Sequence, residues 1–242
     1  MGAMQRAILA AVLTVAGLPA AALEPVDVEL VLAVDVSRSI DEVEAQLQRQ
    51  GYVEAFRNQR VIRTIGNGPL GRIGVTYVEW AAVDFQRHII GWTLIKDAAS
   101  ARAFADQLEA SPRQSWGWTS VSGAIDFAVP LFGQTFEGTR QVIDVSGDGR
   151  NNSGRPAAAA RDDAVAKGIT VNGLAIINDR TNFGRPPDRE LDAWYRENVI
   201  GGPGAFLVVA EDFEAFGEAV LNKLLKEIAD RPGAPPPSRD GG

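Results

Sequence analysis

Apolar runs of strand length alternate with helical patterns along most of this chain of 242 residues. The first run, 28–34, is almost continuously apolar and ends at Asp35, which is typical of a strand buried in a parallel sheet. Further strand patterns follow at 73–80, 88–94, 141–145, 169–177 and 205–209. Because helical patterns separate most of these runs, the sequence predicts βαβ units, mainly parallel pairing and helices on both faces of the sheet.

The strand patterns at 73–80 and 88–94 are joined by a short polar connection, which predicts one antiparallel edge strand. The fold class is therefore α/β, with a doubly wound, mostly parallel sheet. Neither a repeat nor a linker interrupts the pattern, so we expect one domain over residues 23–231. A chain of this length buries roughly 70–75% of its unfolded surface, so its core needs no structural metal or disulfide.

Both ends of the chain differ in composition from the domain. Arg6 precedes an apolar stretch, 7–18, that is too short to span a bilayer, and small residues lead up to Ala22. We expect residues 1–22 to be a signal peptide cleaved after Ala22, which predicts a periplasmic or secreted protein without stable membrane insertion. A retained anchor is the alternative. Residues 232–242 are rich in Pro and Gly and predict a disordered tail.

The amino-acid composition of the chain excludes or disfavours several classes of function. Asp and Glu number 31 against 24 Lys and Arg, and the net charge of −7 argues against nucleic acid as a partner. The chain has no Cys, which excludes thiol catalysis, Fe–S clusters and zinc–thiolate sites. It has one histidine, His88, which lies in a strand pattern, so we expect a structural or surface role for it.

Oxygen-bearing side chains collect in the loops that flank the predicted strands and helices. Asp35, Ser37 and Ser39 follow the first strand, Thr119 precedes a helix, and Asp148 follows the strand at 141–145. Ligands of open α/β sheets bind beyond the carboxyl ends of the strands, so we expect these side chains to meet there. A set of carboxylates and hydroxyls without sulfur or imidazole suits a hard cation such as Mg²⁺.

The order and spacing of these residues resemble a known motif. Asp-x-Ser-x-Ser, then Thr, then Asp-Gly is similar to the metal-ion-dependent adhesion site (MIDAS) of von Willebrand factor type A (VWA) domains, and the resemblance covers about residues 26–230. More narrowly, the stretches 142–152 and 168–176 resemble an exported bacterial VWA-like family of unknown function. The VWA fold is a doubly wound, Rossmann-like sheet with one antiparallel edge strand, which agrees with the pattern of strands and helices.

The resemblance implies a metal site made of five residues. Ser37, Ser39 and Thr119 would ligate Mg²⁺ or Mn²⁺ directly, while Asp35 and Asp148 would act mostly through waters. Asp148 and Thr119 would exchange direct ligation between closed and open states. The motif Asp-x-Ser-x-Ser alone is weak, because Asp and Ser after a strand are ordinary helix caps. Its combination with Thr119 and Asp148 favours metal binding over capping alone.

Two positions depart from the family pattern without removing a ligand. Arg38 stands between the two serines and Trp118 stands before Thr119, where the family often has glycine. We therefore expect a cation and an indole beside the metal. Arg38 either pairs with an acidic group of a partner or is a solvated surface residue. Trp116 and Trp118 lie in the same loop, and we expect them to be exposed recognition residues.

Three hypotheses for function follow from the sequence. The first, which we prefer, is a non-enzymatic, Mg²⁺-dependent protein-binding module whose metal binds a carboxylate of its partner. The second is a metal-dependent hydrolase such as a phosphatase, although one Asp follows the first strand instead of two and Ser146 lacks the glycines of a nucleophile elbow. The third is a scaffold whose site no longer binds metal.

Overall fold

A computed structural model describes residues 22–177 and 187–229. The predicted signal peptide, apart from Ala22, and the predicted disordered tail lie outside the described residues. Within the described ranges, no helix has the length and apolar character needed to cross a bilayer. The strands are β1 (Glu24–Val26), β2 (Glu29–Asp35), β3 (Ile73–Trp80), β4 (Gln86–Ile95), β5 (Phe136–Gly138), β6 (Gln141–Gly147), β7 (Thr170–Ile176) and β8 (Leu207–Ala210).

Six of these strands form the main sheet, in the order β4-β3-β2-β6-β7-β8. The edge strand β4 pairs antiparallel with β3, and the remaining neighbours pair in parallel. This confirms the predicted doubly wound α/β sheet with an antiparallel edge strand. The short strands β1 and β5 pair in parallel outside the main sheet, and the sequence pattern did not predict them.

Helices cover both faces of the sheet. They are α1 (Glu42–Arg57), α2 (Gln59–Gly66), α3 (Ala98–Ala110), α4 (Val121–Ala128), α5 (Ala157–Val165), α6 (Leu191–Asn198) and α7 (Phe216–Ala229). Alternate residues of β2 face opposite layers, because side chains of a strand alternate. Leu30 and Leu32 pack with α1, α2, α3 and α7, whereas Val31 and Ala33 pack with α4, α5 and α6.

Local capping explains where several helices begin. The Asp41 carboxylate accepts a hydrogen bond from the Glu44 backbone N–H, and the Glu44 carboxylate accepts one from the Asp41 N–H, which forms a capping box at α1. The sequence predicted one helical stretch from about residue 41 to 65, and the structure divides it at Asn58. The Asn58 side chain accepts from the Arg60 N–H and so caps α2.

The predicted cap of α6 is wrong. In the sequence, Asp188 precedes a helical pattern that runs to about Asn198, which predicts an N-cap at Asp188, but the N-cap position of α6 is Glu190, which makes no side-chain cap hydrogen bond. The Asp188 carboxylate instead accepts from Arg150 Nη2 at 2.8 Å and from the Glu190 N–H at 3.2 Å. An arginine from the β6–α5 loop therefore binds the carboxylate that the pattern assigned to the helix.

A cluster of charged side chains is buried between the sheet and α7. Lys223 on α7 is 0% exposed and lies 2.7 Å from Asp144 Oδ1 on β6. It also pairs with Glu227, which accepts from Asn172 Nδ2 at 3.0 Å. Burial and the charge of Glu227 together raise the pKa of Asp144 to about 7, against the opposing effect of Lys223. One ammonium and two carboxylates favour retention of a proton in this cluster.

We expect the pH dependence of stability to report this proton. An unfolded Asp titrates near pH 3.9, so between about pH 4 and pH 7 the folded protein holds a proton that the unfolded chain has released. The contribution is fully present below pH 4 and is lost as the pH rises through 7. Its upper bound is about 4 kcal/mol, at about 1.4 kcal/mol per pKa unit. Asp144→Asn should therefore flatten the fall in unfolding free energy, measured by urea denaturation in EDTA, between about pH 4 and pH 7.

The matched control is Asp106→Asn, which removes a carboxylate that is 57% exposed. This variant should keep the wild-type slope, because an exposed ion pair such as that of Asp106 with Arg57 contributes little to stability. Equal slopes for wild type and Asp144→Asn would contradict the assignment of the proton to the buried cluster.

Candidate metal centre

The five predicted site residues lie where the strand order of the main sheet reverses. The chain leaves β2 toward β3 on one side, and β6 begins the series β6-β7-β8 on the other. Asp35 is the last residue of β2, and Asp148 follows the last residue of β6. Connections from neighbouring strands run in opposite directions at such a point and leave a crevice at the carboxyl edge. The two carboxylates therefore share one crevice.

Three hydroxyl groups join the carboxylates in a continuous hydrogen-bonded chain. The Thr119 hydroxyl donates to Ser37 Oγ at 3.3 Å, and Ser37 Oγ lies 3.0 Å from Ser39 Oγ. The Ser39 hydroxyl in turn donates to Asp148 Oδ1 at 2.6 Å. The structure thus brings Ser37, Ser39, Thr119 and Asp148 together, although they come from three loops that are distant in sequence.

The separations between these oxygens suit an octahedral cation. Ligand oxygens at 2.0–2.1 Å from Mg²⁺ lie about 2.9 Å apart along each edge of an octahedron. The three links of the hydrogen-bonded chain measure 3.3, 3.0 and 2.6 Å, which brackets that edge. Neutral hydroxyls and carboxylates are the donor types that Mg²⁺ and Mn²⁺ accept. The residues present therefore fit a hard divalent cation, while metal binding itself stays a prediction.

One oxygen of the Asp35 carboxylate is hydrogen-bonded within its own loop, and the other has no hydrogen-bond partner among the described residues. Its Oδ1 accepts from the Ser37 backbone N–H at 2.7 Å, and the residue is 0% exposed. Within the described part of the chain, neither the Asp35 Oδ2 atom nor the buried Tyr195 hydroxyl has a hydrogen-bond partner. A buried carboxylate oxygen without a partner is costly, and a cation or a cation-bound water supplies what it lacks.

The raised pKa values of Asp35 and Asp148 also favour a bound cation. Burial raises the pKa of Asp35 well above its usual value, and the charge of Asp148 raises it further. Desolvation raises the pKa of Asp148 to about 6, against the hydrogen bond from Ser39. Two carboxylates in one poorly solvated crevice repel each other, and a bound dication removes that repulsion.

Two asparagines hold the Thr119 loop against the Asp148 loop. Asn152 accepts from the Thr119 N–H at 2.9 Å and donates its own N–H to the Thr119 carbonyl at 2.8 Å. Asn151 Oδ1 accepts from the Ser122 N–H at 3.0 Å. These asparagines were not predicted from the sequence. Their position three and four residues after Asp148 is a usable signal, because Asn side chains often hydrogen-bond to loop backbone through their amide group.

Tyr195 was also missed, and the sequence carries no signal for it. It lies on α6 and is fully buried, and burial followed by the charge of Asp35 raises its pKa well above the usual value. A Cβ added to Gly147 would lie 2.8 Å from the Tyr195 hydroxyl and 2.9 Å from Asp35 Oδ2. Glycine at this position therefore keeps a small space between the phenol and the carboxylate.

The remaining sequence expectations concern exposed residues around the crevice. Arg38 is exposed, and Trp116 and Trp118 are 59% and 62% exposed. His88 Nε2 lies 2.5 Å from Thr76 Oγ1, and the Thr76 hydroxyl donates to the Ile90 carbonyl, so the ring donates its Nε2–H to Thr76. Burial lowers the pKa of His88. Its hydrogen bond joins β4 to β3, which is a structural role.

A family model of proteins of unknown function (DUF1194) matches residues 25–232. A sequence search of curated proteins finds no match. Solved structures with the same fold belong to VWA-type domains. One is proximal thread matrix protein 1 from the mussel byssus with a zinc-occupied MIDAS motif, which is 15% identical with a TM-score of 0.59, over 84% of this chain and 46% of that one.

Two further structures are from bacteria. A von Willebrand factor type A protein from Catenulispora acidiphila is 15% identical with a TM-score of 0.56, over 86% of this chain and 42% of that one. The pilus adhesin SpaC from Lactobacillus rhamnosus GG, in an open conformation, is 16% identical with a TM-score of 0.58, over 86% and 30%. This chain thus spans less than half the length of these proteins. At such identities the likeness establishes a VWA-type fold and nothing further.

The space at Gly147 generates a test of the geometry. In Gly147→Ala the new methyl group collides with Asp35 Oδ2 and the Tyr195 hydroxyl, so one of them must move, at about 1–3 kcal/mol of stability. If the site binds Mg²⁺ as predicted, Mg²⁺ should raise the melting temperature of the wild-type protein, and this variant should lose most of that rise. Gly149→Ala is the matched control, because its Cβ would lie 3.6 Å from Thr119 Oγ1, an ordinary contact. An unchanged Mg²⁺ response in Gly147→Ala would contradict the arrangement.

Proposed function

The chain belongs to the DUF1194 family of proteins of unknown function, and on that premise we propose that it is a non-enzymatic, Mg²⁺-dependent protein-binding module of the adhesion type. Asp35, Ser37, Ser39, Thr119 and Asp148 hold the cation, and the partner supplies an exposed carboxylate. Because residues 1–22 have the sequence pattern of an export signal, the proposed place of action is the periplasm or the cell exterior.

One observation carries the metal site. Three hydroxyl oxygens and a carboxylate oxygen lie at spacings close to an octahedral edge, beside a buried carboxylate oxygen that has no partner among the described residues. The same donor types support Mg²⁺ or Mn²⁺ over softer metals. The zinc in the MIDAS motif of the mussel protein supports a divalent ion in this kind of fold.

The donor set also supports binding of a partner's carboxylate. Ser37, Ser39 and Thr119 are neutral ligands, so the protein neutralises the ion only through Asp35 and Asp148. A hard cation with several neutral ligands retains affinity for one more anionic oxygen. The crevice lies at an open edge of the sheet, since Arg38 and Trp118 beside it are exposed. A carboxylate that enters from outside can therefore reach the cation.

We expect a divalent metal to stabilise the wild-type protein. At about 100 times its Kd, a ligand that binds only the folded state adds about 2.7 kcal/mol. The melting temperature should therefore rise in millimolar Mg²⁺ or Mn²⁺, and Asp35→Asn should abolish the rise. The Asn side chain keeps an oxygen for the Ser37 N–H, so this variant should remain folded. The exposed Asp106→Asn should respond like wild type. Without a shift in either metal, the protein would be a scaffold whose site no longer binds metal.

We expect capture of a partner to depend on the metal. A pull-down from periplasmic extract should recover a protein in Mg²⁺, lose it in EDTA and recover it when Mg²⁺ is restored. Asp35→Ala and Ser37→Ala should remove the capture, and a high concentration of acetate should compete as a free carboxylate. Capture that is indifferent to chelator and to Ser37→Ala would contradict the proposal. Mg²⁺-dependent turnover of a phosphatase or esterase substrate, abolished by Asp35→Ala, would show an enzyme instead.

A further inference from the structure

Large apolar side chains are exposed beside the candidate metal centre. Val83, Trp116 and Trp118 are 53%, 59% and 62% exposed. Val83 lies in the β3–β4 connection, and both tryptophans lie in the α3–α4 connection, directly before Thr119. We call Val83, Phe85, Trp116 and Trp118 the indole rim. Soluble proteins seldom expose two neighbouring tryptophans without a binding role, and Trp is enriched among residues that dominate interface energies.

The indole rim is packed against the loop that carries the serines. Val36, between Asp35 and Ser37, forms a small buried cluster with Ala81 and Phe85. The Trp116 ring stacks on Phe85 with centroids 6.3 Å apart and an interplanar angle of 11°. The Trp116 backbone N–H also donates to the Val36 carbonyl at 3.4 Å. One indole therefore has a defined position relative to the metal-binding loop.

Hydrogen bonds hold the two rim loops to each other and to the β6–α5 loop. The Ser120 N–H donates to the Ala81 carbonyl at 2.7 Å, and the Val83 N–H donates to Ser153 Oγ at 3.3 Å. Gly117, between the two indoles, has φ of 50°, and a Cβ there would lie 3.3 Å from Ala82 Cβ. Loops that are already ordered lose little conformational entropy when a partner docks on them.

The charge around the indole rim favours an acidic partner. The Arg87 guanidinium lies over the Phe85 ring at 4.6 Å from its centroid. Arg49 pairs with Glu79 on β3, and Arg113 acts on the same carboxylate as well as on Asp35 and Glu42. The exposed Asp84 is the acid of the rim loop itself. A dication between Asp35 and Asp148 would neutralise those two carboxylates and so lower the repulsion of an incoming acid, with Glu44 the further acid that acts on Asp148.

From this juxtaposition we infer that the partner's recognition segment is an acidic side chain directly flanked by a large apolar one. This inference rests on the proposed function: the carboxylate binds the cation, and the apolar neighbour packs on Trp116 and Trp118. Trp118 adjoins Thr119 in sequence, and the Trp116 backbone N–H donates to the carbonyl of Val36, next to Ser37, so both tryptophans adjoin loops that carry proposed ligands. The metal supplies affinity for any acid, and the indole rim selects among acids by their neighbours.

The test uses a phage-displayed library of random dodecapeptides on the immobilised full chain in millimolar Mg²⁺, with elution by EDTA. We expect the eluted peptides to be enriched in Asp or Glu next to Phe, Trp, Leu or Ile. A selected peptide should lose about tenfold in affinity or more for Trp118→Ala, as for truncation of an interface hot spot. Trp116→Phe retains an aromatic ring on Phe85 and should lose less than Trp116→Ala.

Matched controls separate recognition from folding. Leu70→Ala truncates an apolar residue that is 41% exposed outside the rim loops, and it should keep wild-type peptide affinity. The tryptophan variants should keep the Mg²⁺-dependent rise in melting temperature, because the five site residues are unchanged. A tryptophan variant that no longer binds the peptide but still responds to Mg²⁺ places the loss at the rim.

The outcomes distinguish this inference from the proposed function. Peptides released by EDTA that are acidic without apolar neighbours, and bind the tryptophan variants as well as wild type, overturn the inference alone. Peptides that stay bound to the protein in EDTA overturn the proposed function and the inference with it. Two further results assign the rim another occupant: Trp118-dependent binding to phosphatidylcholine–phosphatidylglycerol vesicles, or a dimer in sedimentation velocity that Trp118→Ala dissociates.

Discussion

Two carboxylates that the fold brings into one crevice are the constraint on which the rest of the site depends. Asp35 ends β2 and Asp148 follows β6, and neighbouring parallel strands present their carboxyl ends to the same edge of the sheet. Asp35 is fully buried, and one of its oxygens has no partner within the described ranges. A protein keeps such an arrangement only if something neutralises it, and the hydroxyls of Ser37, Ser39 and Thr119 are neutral.

A second buried acid, Asp144 on β6, shows how the chain neutralises buried carboxylates with its own residues. Asp144, four residues before Asp148 on the chain, lies against Lys223 from α7, and Asn172 donates to Oε1 of the neighbouring Glu227. That cluster contains its own cation and favours retention of one proton. At the Asp35–Asp148 crevice the polar neighbours are hydroxyls and backbone N–H groups, with a guanidinium, that of Arg113, acting on Asp35 electrostatically. An internal cation thus stabilises one acid cluster, and the geometry of the other suits a cation from solution.

The sequence predicted the sheet well because burial controls its pattern. The apolar run that becomes β2 is buried at every position, and β3 has the predicted bounds of Ile73 to Trp80. The predicted site residues also meet, since strand ends determine where their loops begin. Tyr195 could not be predicted, because it reaches the site from α6 through tertiary packing, and Asn58 divides a helix that periodicity alone continues. The pair β1 and β5 is too short for alternation to reveal.

The packing of Val36 has a thermodynamic consequence for any partner. Val36 lies between two site residues and packs with Ala81 and Phe85, on which Trp116 stacks. A partner that touches both the cation and the indole rim therefore binds two groups whose positions share one buried cluster. If the metal raises the affinity for such a partner by some factor, the partner must raise the affinity for the metal by the same factor. Weak metal binding by the isolated protein is then compatible with a stable ternary complex, because the partner's carboxylate would bind the metal directly.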